Sequence, residues 1–524
     1  MEFDYIVIGS GFGGSVAALR LSEKGYRVAV LEQGRRVTPE DMQAADSDLK
    51  KLFWAPKLGA NGFFSQDFFQ HAAVVRGIGV GGGSLVYAAV LLKPKDSFYS
   101  AEQWAALANW KSELAPCYDI ASTMLGVAEN PKHGEMDEQV LRTAQSMEKL
   151  STFGHVPQGI FFSQPDAEGK PHDDPYFSGN GPVRHSCTFC GKCVTGCAVG
   201  AKNSLDKNYL YFAEKKGAQI FSGHEAVRID RLSNGYMVRA HFKVGPNTER
   251  KWFSAKGVVL AGGVLGTLSL LYRCRDEYHS LPAISKALGS RVRTNSEALV
   301  ASLSRDKSID LTEGTTISSD FYPDDKTHVT QNRIPPGYRI MRFYFGPMVD
   351  DDRPVYRALK TLREILIHPK RSTRAWFAKD WHKRTTLLTV MQYADNQLAL
   401  TYRRSRLFPW KKVLATALPA GTATPAYLPI ANKVARTLAE HSNGDAQSIF
   451  MESLGNKALT AHILGGCPIG ANAEDGVVDV NHQVFGYPDM YITDASVIPV
   501  NIGVNPSLTI TAMAERAMSK VPPR

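Results

Sequence analysis

Four cysteines stand within eleven residues, Cys187-Thr-Phe-Cys190-Gly-Lys-Cys193-Val-Thr-Gly-Cys197, in the spacing C-x2-C-x2-C-x3-C. Thiolates this close can share an iron–sulfur cluster, and the spacing is that of bacterial ferredoxins, with Ala198 where proline usually follows. Four thiolates also suit a structural zinc knuckle. Plain or disulfide-linked thiols are the third reading. Gly191 and Gly196 free the backbone for N–H···S bonds and favour the cluster. Cys117, Cys274 and Cys467 are scattered, so the chain has no second set of four.

A second constellation opens the chain. Residues 5–8 form an apolar run, followed at once by G-x-G-x-x-G at Gly9, Gly11 and Gly14. Residues 15–24 read as a helix ended by Gly25, and residues 26–31 as a second strand closed by Glu32. In such a unit the first glycine permits the tight turn and the second admits a pyrophosphate. The third lets helix pack on strand. The helix N-terminus adds free N–H groups and partial positive charge. Glu32 can accept the 2′-hydroxyl of an adenosine ribose and would repel a 2′-phosphate, which disfavours NADP. The order of these parts predicts a dinucleotide site, without separating FAD from NAD.

Other stretches must position these groups. Five glycines fall within residues 77–83, so the backbone there must approach something flat or charged. Residues 257–266 read as a strand running into a glycine turn and a helix. Residues 487–496 read as a strand ending in a carboxylate, and a helix opens near Asn505-Pro506-Ser507. The nucleotide domain is therefore expected to be discontinuous: 1–110, 215–299 and 456–524. Residues 111–214 are a mixed segment holding the cysteine insertion. Residues 300–455 are read as a substrate domain with an antiparallel sheet, from strand-like runs at 339–345, 385–393 and 397–402. The aromatic residues of 35–73 are either a lid or loop packing. The expected class is α/β, a doubly wound, Rossmann-like dinucleotide-binding domain with a second α+β domain.

The 524 residues suit two or three domains, and 44% hydrophobic with 21% charged residues is ordinary globular composition. A net charge of +10 is either solubility charge or an attraction to an acidic partner. Basic and aromatic residues interleave over 353–384 and 403–412, which suits peripheral contact with anionic membrane. No nucleic-acid motif is present, so nucleic acid is not an expected partner. The sequence has no recognisable secretion signal, and its longest apolar stretch, 257–272, is broken by Gly262, Gly263 and Gly266. The expectation is a cytoplasmic protein, peripheral to the membrane where it meets lipid.

Four segments together resemble the glucose–methanol–choline (GMC) oxidoreductase family, and within it the cholesterol-oxidase-like branch. They are the N-terminal fingerprint, Gly79-Val-Gly-Gly-Gly-Ser84, Ser204-Leu-Asp-Lys-Asn-Tyr-Leu210, and the pair His462-Ile-Leu-Gly-Gly466 with Thr493–Pro506. The resemblance spans nearly the whole chain. It implies an FAD enzyme that oxidises a sterol or another bulky hydrophobic alcohol, and it places the cysteine insertion near the flavin domain, where an iron–sulfur cluster would give electrons an exit other than oxygen, to an acceptor protein. It further implies that Gly79, Gly82, Ser84, Asp494 and Pro506 lie along the flavin and that the Val227 backbone meets the adenine. His462 and Asn505 match the family's active-site pair. Their chemistry suits alcohol oxidation: imidazole can take the hydroxyl proton near neutrality, and an amide can polarise the forming carbonyl. Two departures stand out. Tyr87 replaces the branch's usual Asn, and no motif locates the glutamate with which cholesterol oxidases isomerise the ring double bond. The competing reading is an electron-transfer or regulatory flavoprotein without alcohol turnover.

Overall fold

The computed structural model of the chain describes residues 1–524 apart from 245–246, 406–407 and 422–423, and the side chain of residue 244. Two seven-stranded sheets dominate it. In the first, Gln219–Ser222, Val28–Glu32, Glu2–Ile8 and Asn247–Leu260 run side by side and parallel. Met490–Ile492 joins parallel to the end of Asn247–Leu260. The hairpin of His224–Leu232 and Gly235–Val244 extends the sheet antiparallel. The central strands are apolar without alternation because both their faces are buried. The helix Phe12–Glu23 follows the first strand so closely that a Cβ on Gly14 would lie 2.0 Å from the Gly9 carbonyl oxygen.

The registers align the carboxyl ends of the parallel strands. Ile8 pairs with Leu31 and with Leu260, and Leu260 pairs with Ile492. Gly9, Glu32, Ala261–Gly263 and Asp494 therefore meet at one edge of the sheet, the edge where open α/β sheets bind ligands.

The second sheet is antiparallel, in the order Phe345–Pro347, Gly444–Ile449, Ala298–Ser304, Thr385–Gln392, Thr327–Asn332, Ser319–Asp324 and Gly154–His155. Its strands alternate between two cores. Ala298 and Val300 face the helices Glu135–Ser146 and Pro429–His441, while Leu299, Ala301 and Leu303 face an aromatic core with Phe63, Phe64 and Trp381.

Several local expectations change. Residues 339–345 do not form a strand: Pro336–Tyr344 is a 3-10 turn stretch and only Phe345–Pro347 is extended. Pro335 and Pro336 fix φ and remove two backbone donors, which ends pairing there. Ala399–Arg404 pairs only with Lys412–Ala417, outside the large sheet. Phe53 and Phe64 of the aromatic stretch pack on Tyr338, so this part of it serves as loop packing.

The basic stretch 353–384 is largely committed to structure. Arg357 and Arg384 are buried and donate to main-chain carbonyls. Arg374 pairs with Asp445 at 2.7 Å, and Lys383 with Asp310 at 2.9 Å. Trp381 is a core residue, 1% exposed. In the run 403–412, Arg406 and Leu407 lie outside the described residues. Among the described residues, no helix is long and apolar enough to cross a membrane.

Candidate active site

The strand ends and the glycine-rich loop enclose a cavity of about 910 Å3. Its wall includes Gly9, Gly11, Glu32, Gly82, Asp494 and Pro506, together with His462 and Asn505. Gly14, Gly79, Ser84 and Val227 are not on this wall, and each has a different surrounding. Gly14 serves the helix–strand contact. Gly79, at φ 141°, accepts a hydrogen bond from Ser10 Oγ at 3.3 Å. Ser84 Oγ donates to the Gly81 carbonyl at 2.7 Å and accepts from the Leu205 amide at 3.1 Å. It thereby ties the glycine loop to the 204–210 segment. The strand bulges between Ala226 and Arg228, so His224, Glu225 and Ala226 line the cavity where Val227 was expected.

The fingerprint leaves room for a pyrophosphate in one particular place. A Cβ on Gly11 would meet no atom within 4 Å, whereas one on Gly82 would lie 2.8 Å from the Gly11 Cα. The two loops touch, and the open space before Gly11 belongs to the cavity. Beside it, Glu32 Oε2 accepts from the Ser10 amide at 3.1 Å and hydroxyl at 2.7 Å, and Oε1 accepts from the Gly34 amide at 2.9 Å. A carboxylate has about four acceptor positions, so capacity remains for a ribose hydroxyl. Burial pushes the Glu32 carboxyl up, opposed by the hydrogen bonds from Gly34 and Ser10. Asp494 is held likewise: Oδ1 accepts from the Ser496 amide at 2.9 Å and Oδ2 from Thr267 Oγ1 at 2.5 Å. These features fit FAD: an open approach to a helix N-terminus, a carboxylate with spare acceptor capacity, and a cavity large enough for an extended dinucleotide.

His462 follows the short strand Ala458–Thr460, and Asn505 precedes the helix Ser507–Ser519. Their side chains meet, His462 Nε2 to Asn505 Nδ2, at 3.4 Å. The other ring nitrogen, Nδ1, lies 3.2 Å from Glu297 Oε2, off the line that a hydrogen bond needs. Glu297 also lines the cavity. Sequence reasoning missed it, because it stands one residue before the strand Ala298–Ser304 in no motif. Tyr87 lines the cavity as well, and its hydroxyl donates to the Asn203 carbonyl at 3.0 Å.

The four clustered cysteines are free and line a separate, small cavity. Cys187 Sγ accepts from the Phe189 amide at 3.3 Å, and Cys197 Sγ from the Lys202 amide at 3.5 Å. Burial pushes the Cys187 and Cys193 thiols up. Among the described residues, no group of three or more His, Cys, Asp or Glu side chains is gathered to hold a single metal ion. Neither the iron–sulfur nor the zinc-knuckle reading finds support in that placement.

Comparison with known proteins agrees with this architecture. Residues 182–276 and 350–514 match two models described as GMC oxidoreductase, and residues 7–75 match an NAD(P)-binding Rossmann-like domain. The chain belongs to the GMC oxidoreductase family and is an FAD-dependent enzyme. Within that family it falls in the cholesterol-oxidase-like branch. It is 38% identical to a cholesterol oxidase of Acinetobacter baumannii, over 99% of this chain and 94% of the relative. It is 40% identical to one of Mycobacterium tuberculosis (strain ATCC 25618 / H37Rv), over 99% and 91%. A solved pyridoxine 4-oxidase from Mesorbium loti shares the fold, with a TM-score of 0.60 at 16% identity, covering 99% of this chain and 98% of that one.

Proposed function

We propose that the enzyme oxidises the hydroxyl of a sterol or another bulky hydrophobic alcohol to a carbonyl. The observation that carries this reading is the His462–Asn505 pair, 3.4 Å apart, on the wall of the same cavity as the dinucleotide fingerprint. The substrate class is drawn from the two cholesterol oxidases that align over 99% of the chain. Apolar residues of the cavity wall, among them Val75, Val90 and Ile317, suit such a substrate. Bound FAD supplies the two-electron acceptor for the hydrogen leaving the carbinol carbon. Glu297 beside Nδ1 favours the tautomer protonated there, which leaves Nε2 to accept the hydroxyl proton. Asn505 Nδ2 then donates to the oxygen as it becomes a carbonyl. A purely electron-transferring flavoprotein would leave this pair without a task. The reading fails if the FAD-loaded protein, mixed without air with sterols and long-chain alcohols, keeps its flavin oxidised with every one.

The two electrons go on to oxygen; were Cys187, Cys190, Cys193 and Cys197 to draw together around an iron–sulfur cluster, that cluster would supply a second, one-electron exit to an acceptor protein. One observation favours that route. Val194, inside the cysteine loop, also lines the large cavity, and buried Lys202 donates from Nζ to the Leu85 carbonyl at 2.8 Å and the Cys193 carbonyl at 2.6 Å. The cysteine loop is thus tied directly to the glycine-rich loop. Protein purified without air is expected to contain iron and acid-labile sulfide, and to reduce a one-electron dye faster than it makes peroxide. Protein without iron that yields one peroxide per alcohol oxidised would leave oxygen as the acceptor.

Contact with membrane rests better on apolar surface than on the basic residues already engaged in the fold. The helix Pro354–Ile367 exposes Val355, Leu359, Leu362 and Leu366 at helical spacing, the last 80% exposed, with exposed Arg363 and Lys370 beside them. Leu362→Asp with Leu366→Asp is expected to abolish sedimentation with phosphatidylcholine–phosphatidylserine vesicles while leaving flavin content unchanged. Undiminished sedimentation of the double variant would contradict this.

A further inference from the structure

We infer that residues 295–297 form one positioning clamp that holds both members of the His462–Asn505 pair. The inference rests on the alcohol-oxidising role proposed for that pair. Asn295 grips the chain leading to Asn505: its Oδ1 accepts from the Gly503 amide at 2.7 Å and its Nδ2 donates to the Val504 carbonyl at 2.9 Å. Two residues on, Glu297 grips the chain leading to His462. Its Oε2 accepts from Thr460 Oγ1 at 2.9 Å and from the Ala461 amide at 3.1 Å, and lies 3.2 Å from His462 Nδ1. Thr460 Oγ1 in turn accepts from the His462 amide at 2.8 Å. One short segment thus touches both arms of the site, which enter from chain stretches 43 residues apart.

The backbone of the segment supports this reading. Asn295 and Ser296 both adopt positive φ, 57° and 45°, a conformation that costs a non-glycine residue and persists where surroundings over-determine it. Here they do: both residues are buried, the Asn295 carbonyl accepts from the Gln392 amide at 3.2 Å, and Ser296 Oγ accepts from Asn396 Nδ2 at 3.0 Å. The two left-handed residues turn the chain so that the side chains of 295 and 297 reach different loops. The hydrogen bonds to Thr460 and Ala461 hold the loop, and they also keep the carboxylate 3.2 Å from His462 Nδ1 on the wall of the ligand cavity. A carboxylate so placed favours the imidazole tautomer protonated at Nδ1 and orients the ring.

Glu297→Gln keeps the size and an acceptor oxygen but removes the charge. It is expected to retain FAD and to lower the limiting rate of flavin reduction by alcohol by ~10–100-fold, as for other orienting partners. The alcohol concentration at half-saturation should stay within about twofold, because the substrate contacts themselves are untouched. Glu297→Ala should recover part of its rate with added formate, which a general loss of packing would not do. A second readout needs no turnover. In 15N-histidine spectra of the holoenzyme, with the His462 signals assigned from His462→Gln, the ring should be protonated at Nδ1 in wild type and mixed between tautomers in Glu297→Gln. An unchanged tautomer, or wild-type flavin reduction in Glu297→Gln, overturns the clamp. Failure of wild-type enzyme to be reduced by any alcohol would instead overturn the proposed function, while the tautomer still decides the clamp.

Discussion

His462→Ala is expected to bind FAD and fold as wild type does, and to reduce that flavin with alcohol about two to four decades more slowly, the range for a lost acid–base group. The fold should tolerate the change. His462 follows the strand Ala458–Thr460 on a loop whose hydrogen bonds to Thr460 and Glu297 run through its main chain or its neighbours. What disappears is the proton acceptor and the partner of Asn505 Nδ2. Rapid mixing without air isolates the affected step, because reoxidation is absent. Reduction at the wild-type rate would show that His462 does not accept the proton.

The second large effect separates two glycines of one motif. Gly11→Val is expected to give folded but colourless protein. Gly11 has φ −72° and ψ −165°, extended backbone that valine adopts freely, and its Cβ would enter open cavity with no atom within 4 Å. The space it fills is where a pyrophosphate would approach the helix N-terminus. Gly14→Val is expected to damage the fold itself, because its Cβ would overlap the Gly9 carbonyl oxygen at 2.0 Å. Circular dichroism and flavin absorbance, taken on both variants, distinguish the two. A Gly11→Val protein that retains a full complement of FAD would contradict the pyrophosphate position.

The difference between these glycines also shows what a sequence can carry. The first strand, turn, helix and second strand were legible because their signals are local: an apolar run, glycines at fixed offsets and an acid at the next strand end. The meeting of His462 with Asn505 was legible only through the paired motifs around them, not from periodicity. Glu297 was illegible. It acquires its place from a contact 163 residues away, to Thr460, and from two left-handed residues before it, where Asn295 is of a type that tolerates that conformation but Ser296 gives no such signal. Part of the basic stretch was illegible for the same reason, its long-range partners. Arg357, Arg374 and Arg384 look like free surface charge in a string of letters, yet tertiary structure spends them on carbonyls and on Asp445. Residues 339–345 missed by two prolines, a local feature whose effect depends on the strand alongside.

Rapid mixing of the FAD-loaded enzyme with a sterol in the absence of air tests the central claim most directly, because it asks only whether the hydroxyl-bearing carbon gives up its hydrogen in this site. The expected result is saturable bleaching of the flavin's visible band, a carbonyl product equal in amount to the flavin reduced, and slower bleaching when the hydrogen on the carbinol carbon is replaced by deuterium. Flavin that stays oxidised at saturating sterol, and with long-chain alcohols in its place, would contradict it.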